Sequence, residues 1–501
     1  MNNKKAEEKK QNRILLIAIY LLFVFLMLFV SIITIFKPQE NLIVKHTIIL
    51  SAGSLVASLL VFWLCDKISK DNFFINIFKG VLLLSFIGLL VYVSLLNADR
   101  QGILTDYNSV LQSAKELADG KAISNFAYFE RYSNNIKPAL FLSVIFKVGR
   151  KFSIPDFAFG LGVSVIQVLL TVISTAILLK DEKKNFDIPA ILLFALCLPI
   201  YVFTGVFYTD TMSFGLAVIA LALIKLGIKY DGLRKILLCV AAGCIAAYGI
   251  SWKITVIIPF IALVISFVAS KKKMDVKAVL AVVISFIACV ILINIWAGSY
   301  DITKQAKGKG HPVISWVALG LKEDGSWSAN RDYIDVVDAM ESTKDKKEYT
   351  YSYLKENYKE AFNPDHLVKK AQYNFAGGML RSQIYLGSYD SGTLLWATMN
   401  PWGKYHWRTS QFTFCYIISV YLLFLIGSIF TIANLLRGKR IPEVKMLADI
   451  SILGIIVFLM IWEANSRQLY NQVPIMIIGS IANGRYIVNC IKELKIFKKK
   501  D

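Results

Sequence analysis

Residues 14–36 read ILLIAIYLLFVFLMLFVSIITIF, 23 uncharged and almost wholly apolar positions that follow Lys4, Lys5, Lys9, Lys10 and Arg13. A helix gains about 1.5 Å per residue, so this run can cross the roughly 30 Å hydrocarbon core of a bilayer. No small-residue cleavage pattern accompanies it, and the run is expected to persist as an uncleaved anchor. The whole chain agrees: 56% of its 501 residues are apolar and 18% charged, against about 45–50% and about 25% in soluble domains. A soluble enzyme, a disordered tail and a disulfide scaffold are excluded. Six of the seven cysteines (Cys65, Cys197, Cys239, Cys244, Cys289 and Cys415) lie within or at the end of apolar runs and read as small core hydrophobes. Histidines at 46, 311, 366 and 406 are too scattered for a structural zinc site.

Outward from the first run, eleven more apolar stretches have spanning length or close to it: 47–65, 79–96, 156–179, 188–208, 211–229, 234–251, 254–270, 278–297, 412–436, 446–463 and 472–490. The expectation is an all-α polytopic membrane protein of about twelve transmembrane helices. The net charge of +21 then needs no nucleic acid, because Lys and Arg gather in cytoplasmic loops and fix orientation. With the N-terminus inside, the short cytoplasmic segments carry 28 Lys and Arg, and the short outer connections carry only Lys37, Lys45, Lys253 and Arg467. Both termini are therefore expected in the cytoplasm of a multi-pass plasma-membrane protein.

The same parity decides residues 138–150, PALFLSVIFKVGR. Counted as a span they would put Lys180, Lys183 and Lys184 outside, and thirteen residues are too few to cross. They read as an interfacial or re-entrant helix on the outer face. The chain divides into N-terminal helices (1–96), an extracytoplasmic loop with interfacial helices (97–155), a transmembrane core (156–297), a small extracytoplasmic cap (298–411) and C-terminal helices with a basic tail (412–501). The cap carries 15 Lys and Arg against 13 Asp and Glu. There is no internal repeat.

Several polar groups interrupt this apolar body on the outer side. Asn97-Ala98-Asp99-Arg100 opens the first loop, and Asp106 heads an amphipathic stretch with Val110, Leu111, Ala114, Leu117 and Ala118 on one face. It reads either as a helix N-cap or as a functional acid. Tyr128 to Pro138 contains Glu130, Asn134, Asn135 and Lys137, a donor-rich aromatic cluster or else surface turn chemistry. Asp210 in Tyr-Thr-Asp-Thr is wedged between two spans, where an ionisable group is costly enough to suggest function and a helix cap is the structural reading. Lys253, Glu463 and Arg467 break outer hairpins, the cations as phosphate binders or snorkelling anchors. His311 begins the cap within Gly-His-Pro-Val-Ile-Ser-Trp. Neither GxxxxGK[ST] nor a Rossmann fingerprint is present, so a group donor would have to arrive through the membrane.

This order of residues resembles the GT-C superfamily of polyprenyl-phosphate-dependent glycosyltransferases. DYNSVLQSAKELADG from Asp106, with YFERYSNNIKPALFLSVIF ending at Phe146, looks like bacterial relatives of the protein O-mannosyltransferases and the aminoarabinose transferase of lipid A. GHPVISWVALGLKEDGSWSANRD from Gly310 to Asp332 is similar to the start of the outer domain in Gram-positive members. The resemblance covers about residues 80–490 and implies a GT-C-like fold with the active site outside the cytoplasm. It places the first-loop catalytic acid on Asp106 and the second acidic position on Asp210. A divalent cation, Mg or Mn, on those two residues is left open, since Asp210 lacks a second carboxylate two positions on.

On this reading, a sugar on polyprenyl phosphate passes with inversion to a cell-envelope acceptor, which could be wall polysaccharide, teichoic acid, lipid or protein. Asp106 serves as base; Lys137, Lys253 and Arg467 hold the donor phosphate and lipid; Asp210, Glu130, Asn134, Asn135, His311 and Glu463 bind sugar or acceptor. A cytoplasmic-side polyprenyl-phosphate sugar synthase and a flippase are the functional partners implied. The alternative is a transporter or flippase of lipid-linked saccharides, a class that usually shows internal repeats and charges within mid-membrane helices.

Overall fold

The computed structural model describes residues 11–39, 42–67, 73–96, 106–180, 187–271, 275–386 and 392–493. The basic residues at 4–10, Asp99 and Arg100, Lys183 and Lys184, and the last lysines of the tail lie outside the described residues.

Every regular element among the described residues is helical, as a chain immersed in hydrocarbon requires if each backbone N–H and C=O is to be satisfied within its own segment. Three long helices come first, α1 (Arg13–Phe36), α2 (Val44–Lys67) and α3 (Phe73–Leu96). The first large connection folds as α4 (Asp106–Ala118), α5 (Phe126–Arg131) and α6 (Ile136–Lys151). There follow α7 (Asp156–Leu179), α8 (Asp187–Leu196), α9 (Leu198–Phe203), α10 (Thr209–Met212), α11 (Leu216–Gly227), α12 (Gly232–Trp252), α13 (Ile258–Ser270) and α14 (Val276–Gly298). The cap holds α15 (Asp301–Ala306), α16 (Ser315–Leu319), α17 (Arg331–Asp338), α18 (Thr343–Asn357), α19 (Pro364–Phe375) and α20 (Leu394–Met399). The chain closes with α21 (His406–Leu436), α22 (Glu443–Ile461) and α23 (Val473–Glu493).

Among the described residues, nine helical stretches are long and apolar enough to cross a membrane: α1, α2, α3, α7, α10 with α11, α12, α14, α21 and α22. The other three expected stretches differ. The run 188–208 is broken at Cys197, because Pro199 in the first turn of α9 has no N–H to continue the ladder. The run 254–270 opens as a 3-10 turn, leaving thirteen residues in α13. Helix α23 is long enough, but Asn483, Arg485 and Asn489 make it more polar. Helices α2, α3 and α14 bury few side chains and are apolar all round, whereas α11 and α22 are largely enclosed. Enclosed helices form the centre and lipid-facing ones the rim.

A second break separates α10 from α11 at Gly215, whose φ is +70°. A Cβ built there would stand 2.0 Å from Thr171 Oγ1, so both the left-handed turn and the close approach to α7 require glycine. Between the two breaks the polar run around Tyr208 and Asp210 leaves the regular helix, at the same end as the termini of α12 and α22 and the start of α4.

The cap has a small core of its own, with Leu319, Tyr333, Ile334, Val337 and Tyr353 packed together. It docks onto the bundle through α19. Asn374 donates to Leu459 O (3.1 Å) and accepts from Asn465 N (2.9 Å), and Ala464 N reaches Gly325 O at 2.7 Å.

Candidate functional site

Tyr208 is the extended N-cap of α10, and Asp210 is its second residue. Asp210 does not cap the helix. Its side chain is 1% exposed and turned toward two cations: Lys253 Nζ stands 2.9 Å from Oδ1, and Arg467 Nε stands 2.9 Å from Oδ2. The cap reading of Asp210 gives way for that reason, since a carboxylate this deep needs compensating charge.

Lys253 ends α12 in extended backbone, and Arg467 lies in the 3-10 turn Ser466–Gln472 beyond α22. Thr255 stitches these two loops together: Asn471 Nδ2 donates to its Oγ1 (2.7 Å) and Gln472 Nε2 to its carbonyl (3.0 Å). The two cations therefore arrive at one carboxylate as a unit. Arg467 also donates to the Tyr385 hydroxyl and lies over the Tyr208 ring, 5.0 Å from its centroid. Tyr385 comes from the 3-10 turn Ser382–Tyr385, which follows two consecutive left-handed residues, Leu380 and Arg381.

Asp106, the first described residue of α4, is half-buried and reachable. Its Oδ2 accepts from the Tyr208 hydroxyl at 3.3 Å. One tyrosine thus links the reachable carboxylate to the ion triad. The environments differ in kind: Asp210 is sealed between two cations, while Asp106 is half-buried with no ion-pair partner among the described residues. Glu463 is partly exposed but densely surrounded. Burial pushes its carboxyl up to about 7, while Arg467 and Lys253 pull the other way. Lys370 of α19, buried and donating to Gly320 O, is pushed down by burial to about 7 while Glu463 draws it up.

Of the remaining sequence candidates, Asn135 joins this cluster and the others fall elsewhere. Asn135 is buried and donates to the hydroxyls of Tyr128 and Tyr208, so it belongs to the cluster from beneath. Asn134 is exposed and donates to Asn135 Oδ1. Glu130 pairs with Lys309, and His311 Nε2 meets Asp338 Oδ1 at 2.8 Å. Asp338 also pairs with Arg131 (3.2 Å), and the His311 ring stacks on Tyr132 at 5.5 Å. Glu130 and His311 thus fasten the cap to the first large connection. Lys137 is half-buried in the first turn of α6, with no ion-pair partner among the described residues. It shares a helix face with Phe141, which packs on Trp252 and Trp296, and the structure does not join it to Asp106 or Asp210.

The sequence did not reveal Tyr385 or the linking role of Tyr208. Tyr208 had a signal, its place beside Asp210 in a run between two spans; Tyr385 had none. No group of three or more His, Cys, Asp or Glu able to hold a metal occurs among the described residues. With both Asp210 oxygens facing cations, the residues present do not fit a divalent ion.

An all-helical polytopic body with a charged cluster where its helices break defines an integral membrane protein. The chain belongs to a family of conserved hypothetical integral membrane proteins, whose family model matches residues 8–485. No curated protein and no solved structure matches it.

Proposed function

We propose that the chain is a glycosyltransferase of the plasma membrane, GT-C-like with about twelve spans and both termini cytoplasmic. It moves a sugar from a polyprenyl-phosphate donor to a cell-envelope acceptor on the extracytoplasmic side. The observation that carries this reading is the pairing of a reachable carboxylate, Asp106, with a buried Asp210–Lys253–Arg467 triad across Tyr208.

In the step envisaged, Asp106 takes the proton of an acceptor hydroxyl while that oxygen attacks the anomeric carbon. The bond from that carbon to the phosphate oxygen breaks, and polyprenyl phosphate leaves with the electron pair, inverting the centre. A phosphate is already a good leaving group, so no second carboxylic acid is needed, unlike in glycoside hydrolysis. Lys253 and Arg467 keep donor capacity beyond their contacts with Asp210 and offer it to the departing phosphate. Asp210 holds both cations in place beforehand, so little reorganisation accompanies the charge that develops.

The test is incubation of purified protein with labelled polyprenyl-phosphate sugars and envelope acceptor fractions. Label moving into acceptor in the wild type and not in Asp106→Asn supports the reading. Donor that crosses a vesicle membrane with its linkage intact would instead make the protein a flippase.

A further inference from the structure

Asn135 has two amide protons, and both are committed inside the protein. One goes to the Tyr128 hydroxyl and the other to the Tyr208 hydroxyl at 3.4 Å, while its Oδ1 accepts from Asn134 Nδ2 at 3.2 Å. The residue is 3% exposed, too enclosed to meet a sugar. A phenol oxygen that accepts a hydrogen bond still has its own proton to give. Tyr208 gives its proton to Asp106 Oδ2. Direction is therefore set from the amide: N–H groups cannot accept, so each hydroxyl proton turns away from Asn135 and the last one meets Asp106.

We infer that Asn135 and Tyr208 are positioning residues that direct the Tyr208 hydroxyl proton onto Asp106 Oδ2 and leave Oδ1 for the acceptor hydroxyl. The pair replaces the sugar-binding role that the sequence suggested for Asn135. Its catalytic meaning rests on the glycosyl-transfer reading; the hydrogen-bond direction does not. The groups facing Asp106 are Tyr128 and Tyr132 from the α5 side, Tyr208 ahead of α10, Tyr385 from its 3-10 turn, and Glu463 and Arg467 beyond α22. Only Tyr208 donates directly to the carboxylate in the contacts described.

The experiment uses the full chain in detergent micelles and a water-soluble carbodiimide, which activates a carboxyl through its protonated form. Modification of Asp106 is followed by peptide mass spectrometry across the acidic range in wild type, Tyr208→Phe and Asn135→Leu. Both variants, which take away the hydroxyl proton directed at Oδ2, are expected to raise the extent of Asp106 modification at a fixed pH about tenfold. Superimposable profiles overturn the inference. Asp449, sealed in the bundle, serves as the internal control. If Asn135→Leu exposes it, Tyr208→Phe, which keeps the ring beneath Arg467, decides alone. In transfer assays Tyr208→Phe is expected to lower kcat about tenfold with KM unchanged; a change confined to KM would place Tyr208 on the substrate and overturn the assignment. A wild type that transfers nothing removes the glycosyl-transfer reading, and the modification profile still decides the direction of the hydrogen bond.

Discussion

Arg467 Nε stands 2.9 Å from Asp210 Oδ2, while Lys253 Nζ holds the other oxygen of that carboxylate at the same distance. Asp210 is 1% exposed and its partners are 12% and 17% exposed, so the arrangement is a nearly sealed ion triad. Losing Arg467 leaves Lys253 as the single cation on Asp210 and takes the ion contact from Oδ2. Arg467→Ala is expected to lower unfolding free energy by about 2 kcal/mol, the scale for losing a hydrogen bond to a buried charged group. Arg467→Gln combined with Asp210→Asn should lose less than the sum of the two single changes. Denaturant unfolding in mild detergent measures both; additive losses would show that the pair is not coupled.

Asp106 stands in the opposite situation. It is half-buried, meets one hydroxyl and has no ion-pair partner among the described residues. Asp106→Asn should therefore leave stability within about 0.5 kcal/mol, as surface substitutions usually do. Transfer of labelled sugar should fall by at least a hundredfold, the scale for removing a general base. A variant that retains near-normal turnover removes Asp106 from the mechanism.

Nine of the twelve expected spans were legible because apolar runs of bilayer length have few other readings, and loop charge gave an expected parity. That parity put Lys253 and Arg467 on one side, where the structure gathers them around Asp210. The breaks were harder to read. Pro199 and Gly215 lie inside apolar runs, and a proline or glycine within such a run reads as tolerated until its neighbours are known; Thr171, pressed against Gly215 from another helix, is what fixes the kink. Tyr385 was invisible because it reaches Arg467 from a turn of the cap that has no hydrophobic period. Glu130 and His311 were read as binding residues from their surroundings in the sequence, which could not show that Glu130 pairs with Lys309 and His311 with Asp338.

Glu463 and Lys370 give stability a dependence on pH that can be worked out by sign. The Glu463 carboxyl is raised in the folded state from 4.5 to about 7. Its contribution is fully present below the unfolded value and is lost as pH rises through about 7. The Lys370 amine is lowered from 10.5 to about 7. Below that value the folded state holds a buried ammonium, so its contribution grows as pH rises from about 7 toward the unfolded value. Together the two groups place a shallow minimum of stability near neutral pH. Glu463→Gln should flatten the acid limb and Lys370→Met the alkaline limb, with unfolding midpoints measured across pH as the check. A Glu463→Gln profile identical to wild type would show that the carboxyl is not held protonated.

At the other end of the bundle a second buried pair gives a prediction of a different form. Lys445 Nζ lies 2.5 Å from Asp449 Oδ2 one turn further along α22, with exposures of 0% and 1%. Tyr20 of α1 donates to the same Asp449 oxygen at 2.8 Å, and Asn483 of α23 donates to Oδ1 at 2.8 Å. The ammonium also lies over the rings of Tyr20 and Tyr486. With three helices meeting on one carboxylate and both its oxygens hydrogen-bonded, the network reads as a clamp rather than a path for a moving ion. Desolvating both charges offsets much of their attraction, so a shape-matched apolar pair can replace them at little loss, whereas removing one partner strands the other. Lys445→Met alone is expected to destabilise by about 3–5 kcal/mol. Lys445→Met with Asp449→Leu should recover most of that loss, short of the hydrogen bonds from Tyr20 and Asn483. Thermal unfolding of the single and double variants in detergent measures the difference. A double variant no more stable than the single one would mean that the carboxylate, through Tyr20 and Asn483, supplies the clamp without help from the lysine.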